Sequence, residues 1–168
     1  MMTAVRGPHS YYIPGQPRMV RLDWVVEQVD FDEPTLKCAA TLTFDTDGQV
    51  DLDTRRLEIE SVLDTVNGRS IDFTHHPSEM VVQSTLVPED SKQKVSELDR
   101  VVLGRRLSLS VPTDRKITIK YRTLKDSPAL QWLKREQTVG KKDPLLFTLG
   151  VFLYARLHPV PGRSFRAL

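Results

Sequence analysis

The chain has 168 residues, 24 Lys and Arg against 22 Asp and Glu, and 39% hydrophobic residues, the make-up of an ordinary globular chain with enough length for one core. A net charge of +2 gives no ground for nucleic acid or an anionic membrane as partner, and the basic pairs Arg55-Arg56, Arg105-Arg106, Lys134-Arg135 and Lys141-Lys142 are dispersed among acids, as solvated faces are. The single cysteine, Cys38, excludes an intrachain disulfide and a thiolate zinc cluster; no apolar run nears the ~20 residues of a membrane helix, and the first residues lack a signal peptide's apolar core, so a reduced, cytoplasmic setting is expected.

Residues 1–20 read as an irregular arm. Leu22 to Phe31 is the first expected strand, and Asp32-Glu33-Pro34 the turn after it. From Leu36 to Phe44 the pattern has period 2: Leu36, Cys38, Ala40, Leu42 and Phe44 on one face, Lys37, Ala39, Thr41 and Thr43 on the other. That is a half-buried antiparallel strand. Asp45-Thr46-Asp47-Gly48 is the next turn. Val50-Asp51-Leu52 and Leu57 to Val66 follow as strands, and Asn67-Gly68 is a two-residue hairpin signal. Ile71 to Phe73, Met80 to Val87, Leu107 to Val111 and Ile117 to Tyr121 complete the strands. Pro88 to Asp99 reads as a loop. Helix-like stretches are short, at Lys92 to Arg100 and Leu133 to Gln137. The implied fold is all-β, an antiparallel β-sandwich or saddle-like domain over residues 21–156, with an irregular C-terminal tail at 157–168.

No complete active site is visible. His9, His75, His76 and His158 do not form H-E-x-x-H, the spacing that sets two imidazoles one helical turn apart. His76-Pro77-Ser78-Glu79 is the nearest approach to a ligand cluster, and Pro77 opposes the helix that would align it. Asp45, Asp47 and Gly48 lack the later ligands of a calcium loop. There is no phosphate loop and no G-x-S-x-G elbow. Cys38 falls on the apolar face of its strand, the place of an inert buried thiol.

The string Ala129-Leu130-Gln131-Trp132-Leu133, then Glu136-Gln137-Thr138, Gly140 and Pro144-Leu145-Leu146-Phe147, resembles the N-terminal domain of the leukotriene A4 hydrolase and aminopeptidase B branch of gluzincin zinc aminopeptidases. The family pattern is A-L-Q-W-L, two residues, E-Q-T, one residue, G, then P-x-L-F. Val29 to Phe44 is similar to its first hairpin, and Leu52-Asp53-Thr54, Leu57, Ile59 and Val62 to its L-D-T-x-x-L-x-I-x-x-V strand. The likeness runs from about Asp23 to Arg156. It implies a saddle of antiparallel β-structure that forms one wall of a substrate cleft. The zinc, the H-E-x-x-H motif with its downstream Glu, and the G-x-M-E-N loop would all lie on a catalytic domain that this sequence does not contain. The resemblance therefore implies no catalytic, cofactor-binding or metal-binding residue in this chain. The family's Q-x-Q-A stretch after P-x-L-F reads here Leu149-Gly150-Val151-Phe152. Leu and Val carry no amide oxygen, so that substrate contact does not carry over.

After Leu153-Tyr154-Ala155-Arg156 the family continues with three residues and then P-C-Q-D-T-P-S-V-R/K, whereas this sequence reads LHPVPGRSFRAL. Back-translated and read one base later, Pro159 to Leu168 permits Pro-Cys-Gln-Asp-X-Pro-Ser-Val-Arg, with X other than Thr. The tail is therefore expected to be an out-of-frame translation, a point the source nucleotide sequence decides.

The functional expectation is a non-catalytic N-terminal β-domain, a fragment, of a leukotriene A4 hydrolase-like zinc aminopeptidase whose complete form removes N-terminal residues from peptides. Its partner would be a catalytic domain of that family, with peptide substrate bound only in the complete enzyme. The alternative is a stand-alone β-sandwich interaction module that docks through Trp132, Leu133, Phe147, Phe152 and Tyr154, with Trp132 equally suited to a place in the core. A nucleic-acid β-barrel would need a basic face with interleaved aromatics, and the charges here alternate in sign.

Overall fold

The computed structural model describes residues 11–77 and 104–148. These hold nine strands: β1 (Met19–Asp30), β2 (Thr35–Phe44), β3 (Gly48–Thr54), β4 (Leu57–Asp64), β5 (Phe73–His75), β6 (Arg105–Val111), β7 (Lys116–Thr123), β8 (Leu130–Leu133) and β9 (Leu145–Thr148). A four-stranded sheet runs β1-β2-β7-β4, a three-stranded sheet β3-β6-β5, and β8-β9 form a separate hairpin. All pairings are antiparallel. The all-β expectation holds.

Alternation builds the core. In β2, Leu36, Cys38, Ala40, Leu42 and Phe44 are buried. Register Lys37↔Arg122 to Thr43↔Lys116 sets Ile117, Ile119 and Tyr121 of β7 beside them on one face. Against that face the smaller sheet turns Val50, Leu52, Leu107, Leu109 and Val111. Each large side chain buried there contributes roughly 1.5–3 kcal/mol before chain entropy is counted. The opposite faces carry the polar partners, such as the Thr41–Thr118 hydroxyl pair at 3.0 Å.

Local chemistry closes the hairpins. Asp30 Oδ1 accepts the N–H groups of Asp32 and Glu33, at 3.0 and 2.9 Å, an Asx turn that ends β1. Asp64 accepts the Val66 N–H at 2.9 Å and the Asn67 amide at 2.7 Å, and Gly68 takes φ +69, where a side chain would be strained.

Four details differ from the sequence reading. β1 starts at Met19, inside the stretch read as arm, and the described end of that stretch is docked through Tyr11. Tyr11 is 1% exposed; its N–H donates to buried Asp53 at 2.7 Å and its hydroxyl to the Gly104 carbonyl at 3.2 Å. The strand expected at Ile71 to Phe73 runs instead from Phe73 to His75, because Ile71 spends its N–H on Val62 of β4. Leu133 to Gln137 is not one helical stretch: Leu133 closes β8, and only Arg135–Gln137 forms a 3-10 turn. The β8-β9 hairpin has no counterpart in the expected strands. Met80 to Val87, Lys92 to Arg100 and the tail at 157–168 lie outside the described residues.

Candidate functional site

The A-L-Q-W-L string is the first strand of the β8-β9 hairpin. Register Leu130↔Thr148, Gln131↔Phe147, Trp132↔Leu146 and Leu133↔Leu145 splits the side chains between two faces. Leu130, Trp132 and Leu146 pack on the core. Gln131, Leu133, Leu145 and Phe147 share the outward face, where Leu145 and Phe147 are 51% and 54% exposed. Trp132 meets Phe31 edge-on, with ring centres 5.4 Å apart, and its indole nitrogen is buried without a hydrogen-bond partner.

The connection back to β9 is built by the second half of the string. The Lys134 N–H donates to Gln137 Oε1 and the Gln137 N–H to the Lys134 carbonyl, both at 2.9 Å. The Thr138 hydroxyl lies 2.9 Å from the Arg135 carbonyl and 2.8 Å from that of Asp143. Gly140 turns at φ +81, and Pro144 precedes β9. Ala129 is buried with Leu130. The string thus divides. Ala129, Leu130, Trp132, Gln137, Thr138, Gly140 and Pro144 serve this fold. Gln131 and Glu136 are exposed, and neither side chain has a hydrogen bond or ion pair among the described residues.

Of the side chains expected to dock a partner, Trp132 faces inward, Leu133 is half-buried and Phe147 is exposed. Phe152 and Tyr154 lie outside the described residues, as do Leu149 to Val151. Leu145 was not foreseen. Only the pairing of β8 with β9 puts it beside Leu133, and a run of apolar letters does not reveal that.

The histidines are built into polar chains. His75 Nε2 lies 2.8 Å from Thr54 Oγ1, and that hydroxyl donates to the Arg105 carbonyl at 2.7 Å. Its one proton being spent, His75 must donate through Nε2, so the neutral ring carries its proton there. Burial, and then the charge of Arg105, push His75 down to about 4. His76 Nε2 lies 3.0 Å from Ser108 Oγ, whose proton goes to Asp51 Oδ1 at 2.5 Å. His76 is therefore the donor, and it cannot serve as a base that activates Ser108. Among the described residues no three His, Cys, Asp or Glu side chains are grouped to hold a metal ion. The donor set for a catalytic zinc is not formed among them. His9, His158, Ser78 and Glu79 lie outside the described residues. Burial pushes the Cys38 thiol up to about 11, which leaves it protonated and inert at neutral pH. A cleft of about 380 Å³ beside Lys37, Glu58 and Arg122 is lined by charges that neutralise one another: Arg122 and Glu58 lie 3.6 Å apart, and Lys125 pairs with Glu33.

No family model matches the sequence. A leucine aminopeptidase, 2-2, of Scheffersomyces stipitis is 33% identical over 111 residues, which cover 64% of this chain and 14% of that protein. Native yeast leukotriene A4 hydrolase superposes with a TM-score of 0.51 at 22% identity, over 75% of this chain and 18% of the enzyme. The yeast enzyme in complex with bestatin gives 0.52 at 20% identity, over 78% and 20%. The chain thus spans less than a quarter of the length of these relatives. The A-L-Q-W-L string, the sequence match and the fold point the same way: over a domain-sized part of their length, this chain is similar to the leukotriene A4 hydrolase and leucine aminopeptidase group, as an N-terminal β-domain of that group would be.

Proposed function

We propose that this chain is the non-catalytic N-terminal β-domain of a leukotriene A4 hydrolase-like zinc aminopeptidase. It shapes and docks, and the hydrolytic groups come from a catalytic domain of the same family. In the complete protein zinc would supply an activated water for peptide hydrolysis; this chain's residues would present a wall beside the peptide. The observation that carries the reading is the outward face of the β8-β9 hairpin. There Leu145 and Phe147 stand exposed, next to Gln131, a residue of the most specific string in the sequence that the fold itself does not use. An apolar patch of this kind marks a contact surface. A cytoplasmic setting fits the free, buried Cys38.

The test is addition of this chain to a separately produced zinc-binding catalytic domain of such an aminopeptidase, with hydrolysis of an aminoacyl substrate as readout. Activity is expected to rise on mixing, and Phe147→Asp should abolish the rise while leaving the domain folded. A chain that neither binds nor activates any such catalytic domain would sink the reading. A stand-alone interaction module would then be left as the use of the same face.

A further inference from the structure

β1 is the margin of the larger sheet, paired only with β2 among the described strands. A margin of this length without a second partner among the described residues is a template for another strand. Its register irregularities lie at Met19/Arg21 and at Val26/Gln28, so Arg21 to Val26 is a regular run, and Glu27, where the second irregularity falls, directly follows it. Arg21, Asp23, Val25 and Glu27 stand on the outer face: Arg21 binds Asp23 at 2.7 Å, Val25 is 57% exposed, and Glu27 lies 3.6 Å from Lys120.

The sequence of this margin is complementary to itself. Run antiparallel to a second copy with Trp24 opposite Trp24, it sets Arg21 opposite Glu27, Leu22 opposite Val26 and Asp23 opposite Val25. By two-fold symmetry each contact occurs twice. Centring on Asp23 instead opposes two aspartates, and centring on Val25 opposes Asp23 to Glu27. Both place like charges across the seam, which is destabilising. Centring on Leu22 matches Arg21 with Asp23 but strands Val26 to Asp30 without partners in β1. Length of overlap and charge therefore select the Trp24 register. We propose that two copies of this chain join through β1 in that register, so that two four-stranded sheets become one eight-stranded sheet. The association does not use the β8-β9 hairpin, so it stands or falls separately from the docking reading above.

Sedimentation velocity on the full chain over a range of concentrations is the test, with hydrogen exchange at low and high concentration beside it. A reversible monomer–dimer equilibrium is expected, and amides in Arg21 to Val26 should gain protection as protein is concentrated. Arg21→Glu and Glu27→Arg should each weaken the dimer about tenfold, since one substitution turns two attractions into repulsions. The double variant should restore wild-type association. Both residues are exposed, and circular dichroism checks that the variants keep the fold. A chain that stays monomeric throughout, a dimer indifferent to the single reversals, or a double variant that fails to recover would each overturn the proposal.

Discussion

The Trp24 indole N–H donates to the Tyr121 hydroxyl at 2.8 Å, linking β1 to β7 over the intervening β2. The two residues are 97 positions apart. Tyr121 is 1% exposed, and its burial, followed by the neighbouring Cys38, raises its phenol well above the ordinary value. Removing the hydroxyl leaves the indole short of this acceptor in a dry place. Tyr121→Phe should destabilise the fold by about 1–3 kcal/mol, read as a lower urea midpoint at unchanged slope. No shift in midpoint would show the bond to be energetically idle.

Cys38 gives an alkaline limb. Its folded value of about 11, against 9.0 unperturbed, means the unfolded chain releases that proton first as pH rises. The folded state then holds more protons, so stability present below pH 9 is lost as pH climbs toward 11. Cys38→Ala should flatten this limb in unfolding curves taken at successive pH values. The native thiol should resist a disulfide reagent at pH 8 and react once urea is added.

His75 gives the acid limb, with the opposite sense. Its value is lowered from 6.5 to about 4, so the unfolded chain takes up the proton first on acidification. Stability should fall as pH drops from 6.5 through 4. His75→Gln can still donate to Thr54 but cannot titrate. Its unfolding free energy should lose slope in that window, and an unchanged slope would rule His75 out as the source.

Gly104 enters β6 at φ +71, and a Cβ there would sit 2.4 Å from the Thr54 carbonyl oxygen and 2.7 Å from the Arg55 Cα. Both are backbone atoms that no rotamer change can move. Gly104→Ala should cost at least about 2 kcal/mol and loosen Tyr11, whose hydroxyl bonds the Gly104 carbonyl. Chemical denaturation with tyrosine fluorescence would register both effects.

Where alternation is uninterrupted, letters sufficed: β2 and β7 have the faces their sequences imply, Cys38 included. β1 was harder, because its two irregularities shift the faces midway. β5 moved by two residues, since Ile71 answers to β4, a partner that local pattern does not name. β8 and β9 are short, and the eleven residues from Lys134 to Pro144 separate them, so no tight turn announced the pairing. The string was recognisable as a signature, yet its division between core-facing and outward residues needed register. The basic pairs Arg55-Arg56 and Arg105-Arg106 looked scattered; pairing Thr54↔Arg105 makes them neighbours. Three of the four have prior engagements: Arg56 with Asp126, Arg106 with Asp51, and Arg105 with the carbonyls of His75 and His76.

On the far side of β3 from β6, a single side chain replaces a whole strand. Gln16 Oε1 accepts the Asp51 N–H at 3.3 Å while its Nε2 donates to the Asp51 carbonyl at 3.1 Å. Only a carboxamide can offer both halves of that exchange. Hydrolysis of this one amide to an acid, a slow accident of protein ageing, would leave an acceptor facing a carbonyl and lift the tether from its seat, baring the backbone of β3 along that border.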